Sequence, residues 1–218
     1  MNPVYISIGS QCTVATVFEN LGIKKESLPF DWMYSTPQFV YTILKLLMVD
    51  KMEVSRIVDE HFFCCERRAL VVDGRGGHVT NPSGKTLLNS KYDVCFPHNV
   101  PSDREKYIRR LERLRSLIED QSNYLYFVYT SPSSPTSGNF TIDGKEPIQD
   151  VCGYLNSIDD LLAQITPNYK ICVYDTFPRD IRQLHPTIVY NKIQHRPGWR
   201  KLVQFVTPMF QRFLQKNK

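Results

Sequence analysis

The pattern that most constrains this chain is an alternation of short β-rich runs with stretches whose apolar residues recur at helical spacing. Residues 4–8 form a β-rich run that ends in Gly9-Ser10. Val14, Val17, Phe18 and Leu21 then recur at three- and four-residue intervals, and the series stops at Gly22, a residue suited to the C′ position of a helix. The chain therefore opens as strand, tight turn, helix. A second helix is predicted over 39–48, entered through Ser35-Thr36-Pro37 as cap and early proline. Further strands are predicted at 69–73, 92–96, 124–130, 170–174 and 187–193. A helix over 102–121 opens with the capping box Ser102…Glu105. Another, over 158–165, carries Asp159 and Asp160 in its first turn, where the helix dipole favours them.

The series strand 92–96, helix, strand 124–130, helix, strand 170–174 reads as βαβ units. It predicts an α/β fold: a mostly parallel central sheet with helices on both faces, in a single domain over 1–218. Excursions are expected near 74–89, which holds four of the ten glycines, and near 131–145. A basic amphipathic helix over 199–216 closes the chain, with Pro208 as a point of kinking. Its apolar stripe suits packing on the chain's own sheet, and its basic flank suits contact with a membrane surface or a protein.

Composition narrows the function classes. At 42% hydrophobic, 218 residues can bury a substantial core. No apolar run approaches the roughly 20 residues of a membrane span. The opening MNPVYISIGS lacks the basic and apolar regions of a secretory signal, so a cytoplasmic, reducing setting is expected. The net charge of +5 gives no strong nucleic-acid signal. Arg109, Arg110, Arg113 and Arg115 interleave with Glu105 and Glu112, which reads as a solvated helix face. Gly74-Arg75-Gly76-Gly77 lacks the Lys-Ser/Thr of a phosphate-binding loop. No C-x-x-C or H-x-x-x-H spacing suggests a metal, and no cofactor is expected.

Six cysteines remain to be read as packing residues or nucleophiles. Cys95 and Cys172 lie within apolar strand-like runs and read as core, while Cys64, Cys65 and Cys152 carry no positional signal. Cys12 follows Gly9-Ser10-Gln11 at the start of the first helix, where unpaired backbone N–H groups favour a thiolate and can hold an oxyanion. It reads as a nucleophile if a histidine lies within reach, and otherwise as a small residue filling a helix start. His98 directly follows strand 92–96 and is the best-placed partner, because sites in open α/β sheets form at the carboxyl ends of strands. His61 is expected to be partly buried, and His185 and His195 are weaker candidates. Asp31, set between Phe30 and Trp32, orients a histidine or caps the next helix; Asp175, at the end of its strand, is the rival orienter.

Ile6-Ser7-Ile8-Gly9-Ser10-Gln11-Cys12, Ala15, Leu21-Gly22 and Ser27-Leu28-Pro29-Phe30-Asp31-Trp32 together resemble the opening of the "putative papain-like cysteine peptidase" family of bacteria and large DNA viruses. Phe96-Pro97-His98-Asn99, Arg109-Arg110 and Tyr126-Phe127-Val128 match that family more loosely, and the resemblance ends near residue 131. It implies Cys12 as nucleophile, His98 as base, Asp31 in the shared motif, and a peptide or protein substrate. Ser10, Gln11, Trp32 and Asn99 would line the pocket or oxyanion hole. Gln11 stands where the family has Asn, and Asn99 where it has an acid. The label implies a papain-like architecture, whereas the periodicity implies a doubly wound one. Two readings from other classes stay open: an α/β binding module for a nucleotide, sugar or host protein, and an esterase-like hydrolase using Ser10.

Overall fold

A computed structural model of the chain describes residues 1–9, 12–63, 66–69, 71–73, 86–89, 91–92, 94–96, 103–130, 140–142, 150–175, 183–193 and 199–216. Its centre is a parallel sheet in the order β1 (Asn2–Ser7), β6 (Asn123–Thr130), β8 (Tyr169–Asp175) and β9 (Val189–Lys192). The two inner strands are apolar on both faces, as expected where helices cover both. Ile6, Ile8, Leu125, Phe127, Tyr129, Ile171 and Val173 share a core with α2 (Pro37–Met48), α4 (Arg104–Glu119) and α5 (Val151–Ile165). On the other face, Val128, Cys172 and Tyr174 pack with α1 (Thr13–Asn20) and α6 (Trp199–Lys216). The α/β architecture with a mostly parallel sheet is therefore the one the periodicity predicted. Burying one Phe or Ile of either core contributes roughly 1.5–3 kcal/mol.

Local signals explain several boundaries. Thr36 caps α2 by accepting from Phe39 N–H at 3.1 Å, with Pro37 at the first helical position. Gly22 ends α1 with φ of +65°, the left-handed conformation that costs glycine nothing. α3 (Val54–Ile57) runs on into a π-helical turn, Val58–Phe62, that buries His61 against the Tyr92 hydroxyl at 2.5 Å. α6 continues through Pro208 and seats Val203, Val206 and Phe210 in the second core. Its apolar stripe is thus used within the chain. No helix among the described residues is long and apolar enough to cross a membrane.

Four expectations need correction. Strand 92–96 is β5 (Val94–Phe96), and it joins an antiparallel sheet, β2 (Glu66–Ala69), β4 (Thr86–Asn89) and β5, rather than the parallel one. It therefore does not form a βαβ unit with α4 and β6. The rest of the expected excursions lies outside the described residues, apart from β7 (Phe140–Ile142), which pairs antiparallel with β3 (Val71–Asp73). α4 begins after Asp103, which makes no side-chain cap, and Ser102 of the expected capping box lies outside the described residues. α5 begins seven residues earlier than its periodicity suggested, capped by Asp150 accepting from Gly153 N–H at 2.8 Å. Asp159 is therefore not in a first turn. It is buried and accepts from the Tyr169 hydroxyl at 2.9 Å, the Thr187 hydroxyl at 2.5 Å and His185 Nδ1 at 3.1 Å.

The arginine face of α4 is the fourth. Arg113 donates to Ser27 C=O at 2.7 Å and pairs with Glu26 at 2.6 Å, and Arg115 donates to Met52 C=O at 2.8 Å. Arg110 is buried. Arg110, Arg113 and Arg115 are thus buried or grip neighbouring segments, while Arg109, Glu105 and Glu112 face solvent as expected.

Candidate active site

The carboxyl end of β1 leads through Gly9 into α1, and that turn is tightly built. A Cβ on Gly9 would stand 2.9 Å from Val14 Cγ2 and 3.1 Å from Thr130 N, so only glycine lets the turn approach the end of β6. The Ser35 hydroxyl donates to Gly9 C=O at 2.8 Å and fixes the turn to the segment before α2. Cys12 stands at the N-cap of α1, makes no side-chain cap, and has no acidic residue in the turn after it. Its carbonyl accepts from Thr16 N–H and Thr16 Oγ1, both at 2.9 Å, which anchors its backbone. Of the four free cysteines among the described residues, Cys95, Cys152 and Cys172 are buried and Cys12 alone is partly exposed.

Asp31 is near enough for its charge to act on the Cys12 thiol. It is 2% exposed, and its Oδ2 accepts from Leu28 N–H at 2.8 Å and pairs with Lys24 Nζ at 3.3 Å. The Lys24 side chain is only 8% exposed, pairs also with Glu19 at 3.2 Å, and sits 4.2 Å above the centre of the Trp32 ring. The segment between α1 and α2 thus brings a buried carboxylate, an ammonium and a half-buried indole together. A buried charge survives only where such partners replace water. Neither Lys24 nor Arg110 stood out in the sequence, because a lone basic residue reads as surface.

The electrostatics correct one expectation. A cysteine at a helix start is expected to ionise easily, yet burial pushes the Cys12 thiol from about 9 up to about 11. The Asp31 charge pushes the same way, while a backbone hydrogen bond and Lys24 oppose it. Burial also raises the Asp31 carboxyl, against Lys24, the Leu28 N–H and Arg110. Both groups are therefore biased toward their neutral forms.

The remaining expected site residues fall as follows. Ser10, Gln11, His98 and Asn99 lie outside the described residues. Trp32 is half-buried beside Lys24. Tyr34 and Cys95 exchange backbone hydrogen bonds at 2.9 and 3.1 Å, so the segment carrying Asp31 is bridged to β5, the strand that ends two residues before His98. Asp175 is fully buried at the carboxyl end of β8, two strands from β1, and its carbonyl accepts from Ile193 N–H at 2.7 Å. His61 is buried, and that burial lowers its pKa. Among the described residues no group of three or more His, Cys, Asp or Glu is arranged to hold a metal ion.

Residues 3–137 match the model of a family described as "Putative papain-like cysteine peptidase". That span contains Cys12, Asp31, His98 and Arg110, and stops short of Asp175. "Uncharacterized protein R408" of Acanthamoeba polyphaga mimivirus is 56% identical over 192 residues, a match covering 79% of this chain and 78% of that protein. No solved structure matches this chain.

Proposed function

Because this chain belongs to the "putative papain-like cysteine peptidase" family, we propose that it is a thiol hydrolase acting on the acyl group of a peptide or protein, with Cys12 as nucleophile and His98 as general base. The observation that carries this reading is the position of Cys12: partly exposed, at the uncapped start of α1, on the carboxyl edge of the parallel sheet. The bridge from Tyr34 to Cys95 supports the choice of His98, since it ties the Asp31 turn to the strand leading there.

The raised thiol shapes the mechanism. Cys12 rests as a neutral thiol, so the proton must leave as the sulfur attacks. His98 takes it while Sγ bonds to the acyl carbon, and the carbonyl oxygen becomes an oxyanion. Backbone N–H groups at the start of α1, with Gln11, hold that oxyanion. The tetrahedral carbon then expels the leaving group, which takes the proton back from His98. Water, deprotonated by His98, attacks the thioester carbon; the C–S bond breaks, the acid leaves, and His98 returns the proton to Sγ. Asp31 shapes the pocket and, paired to Lys24, sets the field at the sulfur. Trp32 and Asn99 line the pocket.

The test is acyl transfer from p-nitrophenyl acetate. The expected result is an acetyl adduct on Cys12 by mass spectrometry, absent in Cys12→Ala and strongly slowed in His98→Ala. Turnover that survives in Cys12→Ala would refute the reading. A second reading, a binding module in which Cys12 only packs, is favoured by that same raised thiol, and no adduct in the wild-type chain would select it.

A further inference from the structure

We propose that Arg110 is an anion-recognition residue beside the Cys12 site, taking the oxygens of a substrate carboxylate or phosphate. The inference rests on the Cys12 reading for its place in catalysis, but not for the binding itself.

Arg110 is 8% exposed, and its Nη1 is sealed from solvent with no hydrogen-bond partner. Among the described residues it forms no ion pair. Its neighbours are the Tyr107 ring, whose centre lies 5.4 Å from the guanidinium, and Asp31, which feels its charge through space. Asp31 forms no ion pair with Arg110, and its Oδ2 is taken by Leu28 N–H and Lys24. The contrast along α4 is sharp. Arg104 holds Asp59 through two nitrogens at 2.6 and 2.7 Å, and Arg113 holds Glu26 and Ser27 C=O. The most buried of these arginines has no carboxylate partner among the described residues, and its Nη1 has no hydrogen-bond acceptor.

A guanidinium cannot shed its charge, and all its hydrogens are donors. Burying one without an acceptor is among the costlier things a fold can do, and a chain built only for stability would place an apolar residue there. The planar fork matches a carboxylate or a phosphate through two parallel hydrogen bonds. The charge of Asp31 acts on the Cys12 thiol, and the charge of Arg110 acts on Asp31, so the three groups share one electrostatic neighbourhood.

The experiment is calorimetric titration of the full chain with inorganic phosphate, and separately with acetate, at constant ionic strength. The variants are Arg110→Met, Arg110→Lys and Cys12→Ala. The wild type is expected to bind at least one of the two anions, and which one identifies the headgroup. Arg110→Met should bind it at least tenfold more weakly while melting no lower than the wild type, because a merely structural arginine would lower the melting point. Cys12→Ala should bind normally. No binding of either anion by the wild type, or equal binding by Arg110→Met, overturns the proposal. Should Arg110→Met not fold, Arg110→Lys decides: weakened binding supports the proposal, and unchanged binding overturns it. Failure of the acetyl adduct on Cys12 would sink the hydrolase reading and leave these titrations unaffected.

Discussion

The thiol of Cys12 gives the sharpest quantitative expectation. Burial and Asp31 raise it from about 9 to about 11. At about pH 7.5 a thiol titrating near 9 is ionised in roughly one molecule in 30, and one titrating near 11 in roughly one in 3,000, about a hundredfold less thiolate. The more basic thiolate is the better nucleophile, by about eightfold over two pH units at a Brønsted slope near 0.45. The net expectation is alkylation about twelvefold slower than for an ordinary cysteine. The assay is iodoacetamide labelling of the folded chain across pH 6.5–11, read at the Cys12 peptide by mass spectrometry, with unfolded chain as the reference. The rate should climb with pH up to a midpoint near 11. The same shift acts on stability. A thiol whose folded value lies above its unfolded one stabilises the fold fully below about pH 9, and that stabilisation is lost as pH rises toward 11. It amounts to about 2.7 kcal/mol for two units. A labelling midpoint below 9 would refute the reasoning, and would mean that an imidazolium already holds a thiolate at rest.

Two further changes probe the frame around the site. Gly9→Ala places a Cβ 2.9 Å from Val14 Cγ2 and 3.1 Å from the backbone N of Thr130, so α1 must shift. A loss of about 1–3 kcal/mol in urea denaturation is expected, together with an altered Cys12 labelling rate; an unchanged midpoint and rate would show that the turn yields freely. Asp159→Ala strips the acceptor from the Tyr169 and Thr187 hydroxyls and from His185 Nδ1. It should cost about 2–4 kcal/mol and speed amide exchange in residues 185–188, the segment before β9 that those contacts hold to α5; exchange unaffected there would assign the cluster no such role.

The sequence carried the frame more readily than the site, for reasons visible in particular residues. The run 124–130 and the run 170–174 are apolar on both faces, so their burial between helix layers could be read directly. Which sheet a strand joins could not. Residues 94–96 have the same β-rich character, yet their partners are β4 and Tyr34, a choice made by turns and tertiary contacts. The early start of α5 was hidden by Gly153, Asn156 and Ser157, whose helix propensities are low, although the apolar series Val151, Leu155, Ile158, Leu162 runs through them. Asp31 was legible as a buried carboxylate because two large aromatics flank it. Its partner Lys24 was not, and neither was Arg110, since charge type predicts exposure and only the fold can bury it.

Cys12 shows the limit most clearly, because two effects of opposite sign meet there and only one of them is written in the sequence. The helix start favours a thiolate, and its size can be bounded without a structure: about 0.3–1 kcal/mol at an exposed end and up to about 2 kcal/mol when partly buried, or at most about one and a half pH units. Desolvation opposes it, and its size depends on how far the turn sinks beneath the segment holding Asp31 and on whether that carboxylate keeps its charge. In this fold desolvation wins by about two units. A cysteine at a helix start is therefore not activated by its position alone. The chain can use Cys12 as a nucleophile only if a base removes the proton during attack. That requirement makes His98, two residues beyond the strand bridged to the Asp31 turn, the residue on which the proposed chemistry depends.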